Sequence, residues 1–259
     1  VIDSKEHYMN DFHKLLYAYF CPTKYDLERF EKYKRGNSKN CIVTGYPKLD
    51  AYFDNSPLDY KKYWKEPKKF KIIYAPHHSF ETDGLHLATF KDNGKFILEL
   101  AKAHPETTWV FKPHPRFKFA LLKNNVMTKE EIDEYYKGWE EVGTICEGGN
   151  YIDLFKTSDL MITDCGSFLG EYLPSKKPLI QLVNPKAKFN KLGEKVKSEY
   201  YFSHDNEELK QLFDEIVVNK NDYKKEARLK LIDEVFDFSK SASDKIYEYV
   251  ENLVLNSGG

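Results

Sequence analysis

Three short segments concentrate the residues that could do chemistry, and each follows an apolar run. The first is Tyr74-Ala75-Pro76-His77-His78-Ser79, the second Phe111-Lys112-Pro113-His114-Pro115-Arg116, and the third Thr163-Asp164-Cys165-Gly166-Ser167. Together they supply imidazoles, an ammonium, a guanidinium and the opening of a helix, a set suited to a phosphate or diphosphate. Gly166 permits close backbone approach, and Ser167 offers a hydroxyl and an amide at the positive end of a helix dipole. Lys112 and Arg116 add charge; Asp164 and Phe168 flank the serine and are grouped with it as phosphate-binding candidates. An ordinary histidine titrates near neutrality, so His114 is the candidate catalytic residue, as proton acceptor or as cationic phosphate ligand. His77, His78 and Ser79 are candidate substrate contacts.

Each feature has a structural alternative. Asp164 or Ser167 would serve as a helix cap. Lys112-Pro113-His114-Pro115 would serve as a stiff turn, since two prolines fix the backbone there. That stiffness also suits a preorganised site. The chain has no GxGxxG, no GxxxxGKS and no Asp-x-Asp pair. Charge neutralisation by side chains and a helix dipole, with no metal and no cofactor, is therefore expected.

These segments need a scaffold that gathers them. Apolar runs at Ile72–Ala75, Trp109–Lys112, Thr144–Cys146, Leu160–Thr163 and Leu179–Val183 read as strands. Helical periods at Lys95–Ala103, Lys129–Glu141, Tyr151–Lys156 and Phe168–Leu173 lie between them. Short strands without polar alternation, separated by helices, predict a Rossmann-like α/β fold: a parallel sheet with helices on both faces. In such a sheet ligands bind beyond the carboxyl ends of the strands, so all three polar segments share one rim. After Phe202 the pattern turns helical, with helices predicted over Asn206–Val218, Tyr223–Phe236 and Ser243–Leu255, the last capped by Ser241 or Ser243. The first ~45 residues differ, with helices expected over Glu6–Tyr19 and Lys24–Tyr33, a Gly-Asn-Ser turn, and a strand near Ile42-Val43.

Composition narrows the class. The 259 residues carry 40 basic and 41 acidic side chains, a net charge of −1. A nucleic-acid binder usually shows a strong basic excess, so no nucleic-acid partner is expected. Four cysteines without metal-ligand spacing read as reduced thiols of a cytoplasmic protein. The chain opens Val1-Ile2-Asp3, which reads as a piece of a longer protein. The lysine-rich stretch Tyr60–Lys71 reads as a solvated helix and linker; peripheral contact with the inner face of the plasma membrane is the alternative.

The order of motifs resembles one family. Val43-Thr44-Gly45-Tyr46-Pro47-Lys48-Leu49-Asp50, Ile73-Tyr74-Ala75-Pro76, Lys112-Pro113-His114-Pro115 and the run from Asp153 to Ser167 match the CDP-glycerol glycerophosphotransferases in sequence order. These are the teichoic-acid and capsule polyol-phosphate transferases of bacteria. The resemblance implies a GT-B architecture of two Rossmann-like domains, with residues 1–45 a remnant of the N-terminal one and 46–259 the nucleotide-donor-binding one. It implies a CDP-linked donor and a polysaccharide or polyol-phosphate acceptor. It gives His114 the place of a required histidine, Gly166 and Ser167 the donor phosphate, and Glu171, with Pro113, the nucleotide and its ribose. The family's Thr-Asp-Tyr-Ser-Ser is Thr-Asp-Cys-Gly-Ser here, and its Ala-Pro-Thr-Trp is Ala-Pro-His-His. Both changes fall on the polar rim. Glycosyl transfer or nucleotide-sugar epimerisation on the same scaffold, and a non-catalytic polymer-binding module, are the alternatives.

Overall fold

The computed structural model describes residues 8–33, 38–80 and 85–257. Its centre is a six-stranded, fully parallel sheet made of β3 (Phe70–Ala75), β4 (Thr107–Phe111), β5 (Gly143–Ile145), β6 (Leu160–Thr163), β7 (Leu179–Leu182) and β8 (Tyr201–Ser203). The spatial order is β5-β4-β3-β6-β7-β8. The order reverses between β3 and β6, and such a switch point opens a crevice at the strands' carboxyl ends.

Burial on both faces explains why these strands read as unbroken apolar runs. Side chains alternate across a strand, and here each alternate set enters a different core. Ile72, Tyr74, Trp109, Phe111, Leu160 and Ile162 pack under α3 (Phe90–Ala103), α5 (Lys129–Val142) and α9 (Asn206–Phe213). Ile73, Ala75, Val110 and Met161 pack under α6 (Ile152–Thr157), α7 (Gly166–Tyr172), α8 (Lys191–Ser198) and α10 (Lys225–Val235). The sheet is a two-faced layer, as the sequence pattern predicts.

The N-terminal part departs from expectation. Among the described residues of the predicted Glu6–Tyr19 helix, Tyr8 and Met9 are helical, the helix breaks at Asn10, the short α1 (Phe12–Leu15) follows, and Tyr19–Cys21 is strand β1. β1 pairs in parallel with β2 (Cys41–Val43), with α2 (Lys24–Tyr33) between them. Pairing overrides local helical preference at Tyr19. The predicted Gly-Asn-Ser turn falls largely outside the described residues. Elsewhere three elements went unpredicted: α4 (Phe117–Lys123), α8 and β8. The lysine-rich stretch is a short 3-10 turn, Tyr60–Lys62, and its last two residues, Phe70 and Lys71, already belong to β3. Trp64 from that stretch is core, donating from Nε1 to Thr157 Oγ1 at 2.9 Å.

The Gly-Tyr-Pro-Lys-Leu-Asp segment docks the C-terminal helix α11 (Ala242–Ser257). Gly45 has φ +100°, and a Cβ there would meet Ala242 Cβ at 3.1 Å, so both conformation and close approach favour glycine. Asp50 accepts from the backbone N–H groups of Ala242 (2.7 Å) and Ser243 (2.8 Å), satisfying helix-start donors. Ser241 Oγ accepts from Asp244 N at 3.0 Å, which makes Ser241 the capping serine.

Candidate active site

The carboxyl ends of β3, β4 and β6 meet at the switch point. Lys112 N donates to Tyr74 O (2.7 Å) and His114 N to Pro76 O (3.3 Å), holding the first two segments side by side. A cavity of about 290 Å³ opens against them. Its wall includes His77, Lys112, Pro113, His114, Ser167 and Phe168 from the predicted set, with Cys165 beside them. Pro76, Pro115 and a rim segment after β5 that the sequence reading passed over, Glu147, Gly148, Gly149 and Tyr151, complete it. Gly149 has φ +83°, so this loop uses a backbone conformation open to glycine.

Lys112 is the charged centre of the wall. It is buried, and its ammonium lies 4.7 Å from the Tyr151 ring centroid and 6.0 Å from that of Phe168. Burial lowers its pKa, because a desolvated ammonium prefers to lose its proton. A buried cation with aromatic neighbours is stabilised further by an anion placed beside it. Lys48 reaches the same Tyr151 from the docking segment, 4.1 Å from the ring centroid, and pairs with Glu171 at 3.1 Å.

Three imidazoles stack along the rim. His78 and His114 lie 3.8 Å apart between ring centroids with planes at 22°; His77 is 4.4 Å from His78 and 5.6 Å from His114. Arg116 N donates to His114 Nδ1 (3.1 Å), and Ser79 N donates to His77 Nδ1 (3.1 Å). In neutral rings this network assigns the proton to Nε2, so each ring has an Nε2–H left to offer a ligand. Burial first, then the neighbouring His78 and His114 imidazoles, push the His77 pKa down to about 3. Burial first, then His78, Arg116 and Lys112, push His114 down to about 4. The expectation of titration near neutrality is thus corrected: His114 is a neutral donor at pH 7. In that state it is no general base through Nε2, because that nitrogen carries the proton.

The remaining predicted residues take other places. Asp164 is buried within the fold: Oδ1 accepts from His77 N (2.6 Å), and Oδ2 from Thr89 N (2.8 Å) and Thr89 Oγ1 (3.0 Å). Burial outweighs those donors and raises its pKa to about 6. With its acceptors spent on loop backbone and its charge of the wrong sign, Asp164 is a tie between β6 and the loop after β3. It does not line the cavity. Gly166 is buried and off the cavity wall, and Arg116 is exposed and also off it. Ser79 is fully buried and bonds His77 Nδ1 through Oγ at 2.8 Å. His78 touches the site through His114, and Glu171 through Tyr151, whose hydroxyl donates to it at 2.5 Å. Neither Ser167 nor Asp164 caps α7 with a side-chain bond; Ser167 Oγ lies 3.3 Å from Cys165 Sγ, and that thiol is pushed up to about 11 by burial.

Among the described residues, no group of three or more His, Cys, Asp or Glu is arranged to hold a metal ion. No helix among them is long and apolar enough to cross a membrane.

Comparison with known proteins follows from this geometry. The wall teichoic acid polymerase TagF superposes with a TM-score of 0.61 at 15% identity, over 97% of this chain and 60% of that one. A TagF variant soaked with CDPG gives 0.58 at 16% identity, over 97% and 60%. The UDP-GlcNAc 2-epimerase of Neisseria meningitidis bound to UDP-GlcNAc gives 0.56 at 17% identity, over 93% and 61%. These likenesses establish the GT-B-type α/β fold, and the chain spans about three-fifths of the length of each. No curated protein sequence matches significantly. The model of one protein family, CDP-Glycerol:Poly(glycerophosphate) glycerophosphotransferase, matches residues 3–252. On that match, which takes in nearly the whole chain and every wall of the cavity, the protein belongs to the CDP-glycerol:poly(glycerophosphate) glycerophosphotransferase family.

Proposed function

We propose that the chain is the donor-binding part of a transferase that moves a polyol phosphate from a CDP-linked donor to a surface-polymer acceptor. The observation that carries this reading is the buried setting of Lys112 in a cavity walled by two neutral Nε2–H imidazoles and two aromatic rings. Cationic and neutral donors suit a phosphate anion held directly by the protein. Glu147 is the carboxylate on that wall, and it pairs with Lys118 at 3.2 Å. The reading therefore assigns no metal and no cofactor to the site.

In the proposed reaction an acceptor hydroxyl attacks the β-phosphorus of the donor. A new P–O bond forms, the bond to the bridging oxygen breaks, and CMP leaves with that electron pair. Phosphoryl-type transfer relies on positioning and on neutralising charge at the non-bridging oxygens. Lys112, the His77 and His114 Nε2–H groups and the Ser167 hydroxyl supply that neutralisation here. The acceptor's proton goes to a base outside residues 46–259, consistent with His114 being occupied as a donor. Tyr151 and Phe168 offer faces for the nucleotide, and Glu171 lies one side chain behind Tyr151, within reach of ribose hydroxyls if that ring turns.

The same proposal places residues 1–45 at the edge of an N-terminal GT-B domain and residues 46–259 in the donor domain. It places the protein in the cytoplasm at the inner face of the plasma membrane, where a surface-polymer acceptor would be extended. A thermal-shift comparison of CDP, CMP and UDP tests the donor, because a ligand stabilises in proportion to occupancy of a native-state site. CDP should give the largest shift. A larger shift with UDP would replace this reading with the epimerase-type one that the neighbouring folds offer.

A further inference from the structure

The loop that carries His77 into the first cavity has a second side. Ser79, two residues on, lines another cavity of about 110 Å³. It is lined by Ser79, Phe80 and His86, by the cationic Lys91 and Lys186, and by the Asp92 carboxylate. The two cavities share a direct link, the 2.8 Å bond between His77 Nδ1 and Ser79 Oγ. Two residues of chain span at most ~7 Å, so the cavities are near neighbours.

Several observations mark this second cavity as a place built for an anion. Neither Lys91 nor Lys186 has a carboxylate within ion-pair distance among the described residues. Lys91 is held with its ammonium 6.0 Å from the Phe80 ring centroid. Lys186 is positioned by Asn184, whose Oδ1 accepts from Lys186 N (3.0 Å) while its Nδ2 donates to Ala88 O (3.1 Å). That pair of bonds ties the loop after β7 to the loop before α3, so both lysines sit on braced backbone. His86 adopts φ +49°, a left-handed conformation that is strained for a residue with a Cβ. Its Nδ1 is buried without a hydrogen-bond partner. Strain and an unspent polar atom together at a cavity wall are what a ligand site leaves when the fold has been shaped for the ligand.

We propose that this second cavity is a phosphate subsite for the acceptor, holding a phosphodiester or phosphomonoester group one polyol unit from the phosphorus under attack. The proposal rests on the reading of the first cavity as the donor-phosphate site. The His77–Ser79 loop separates the two cavities, His77 lining the first and Ser79 the second. Lys91 and Lys186 neutralise the acceptor's phosphate and set the register of its terminal hydroxyl.

The test uses the 259-residue chain and three probes: a short glycerol-phosphate oligomer, CDP and orthophosphate, each titrated calorimetrically into wild type and the Lys91→Glu/Lys186→Glu double variant. Both lysines are exposed, and an unliganded melting temperature within about 2 °C of wild type will show the variant folded. The expected result is at least a tenfold loss of oligomer affinity with CDP affinity unchanged within twofold, and Ser167→Ala giving the reverse pattern. Oligomer binding that survives the double substitution, or that is absent in wild type, would overturn the subsite. Equal loss of CDP and oligomer would overturn its separateness. Orthophosphate binding at the lysines as tightly as the oligomer would overturn the acceptor assignment. If wild type fails to bind CDP while lysine-dependent oligomer binding persists, the donor reading falls and the subsite stands.

Discussion

The ends of β6 and β4 look alike in sequence and have opposite fates in the fold. Each places a charged residue just past an apolar strand: Asp164 after β6 and Lys112 after β4. Both are buried, at 2% and 5% exposure. Asp164 has three donors at 2.6–3.0 Å, two of them backbone N–H groups of the loop it anchors. Lys112 has aromatic faces and an open cavity. A buried charge whose hydrogen-bonding capacity is used up holds the structure together. One whose capacity is left open costs stability and awaits a ligand.

Asp164→Ala should give the largest effect on the structural side. It strands the His77 and Thr89 amides in the interior, at about 2–4 kcal/mol of stability. In a domain of this size that is a fall of roughly 4–16 °C in melting temperature, read by calorimetry. CDP should still bind below the new midpoint, and a stable Asp164→Ala protein unable to bind CDP would reverse the assignment. On the ligand side, His114→Ala should weaken CDP binding about 10–100-fold, the loss of a hydrogen bond to a charged group, with little change in the unliganded melt.

Proton linkage separates the two regions by sign. The Asp164 pKa is raised to about 6, so the native state holds a proton that the unfolded chain has released, and its contribution to stability declines as pH rises from about 4 to 6. His77 is depressed to about 3, so its contribution is present above the ordinary histidine range and is lost as pH falls from about 6.5 towards 3. Replacing each residue in turn and measuring melting temperature from pH 4 to 7 should therefore alter the profile in opposite directions. Binding adds a third linkage. A diphosphate beside His114 raises its pKa from about 4, so the complex takes up protons and CDP affinity should rise as pH falls from 7 to 5. A flat affinity profile would show that CDP does not raise the His114 pKa into this range.

The smallest effect is expected at Tyr151. Tyr151→Phe keeps the ring under Lys112 but loses the hydroxyl that joins Glu171 and Lys48. About 1 kcal/mol of nucleotide affinity, or a few-fold in Kd, should go with it. A loss above tenfold would mean that Glu171 contacts the nucleotide directly.

How much of this was legible beforehand follows the same division. Strands buried on both faces announce themselves, because no polar residue can interrupt Ile72-Ile73-Tyr74 or Leu160-Met161-Ile162. The parallel order then places three polar strand ends on one rim, and Lys112, His114 and Ser167 followed. Which of the rim's charges is spent on backbone was hidden, since Asp164's partners Thr89 and His77 come from a different strand's loop. The lowered pKa of His114 was hidden for the same reason: its causes are burial first, then His78, Arg116 and Lys112. Glu147-Gly148-Gly149 and Tyr151 were findable, because the rim rule applied to β5 points straight at them. The short α4 and β1 were not, being fixed by packing and pairing rather than by local pattern.

The central claim is that the open charge of Lys112 exists for a nucleotide diphosphate. Thermal melts of wild type and Lys112→Met, each with and without CDP, test it most directly. The account predicts an unliganded Lys112→Met protein as stable as wild type or more so, because an unpaired buried ammonium has gone, together with loss of most of the CDP-induced shift. A Lys112→Met protein that melts several degrees lower yet keeps the full CDP shift would show that Lys112, like Asp164, belongs to the scaffold.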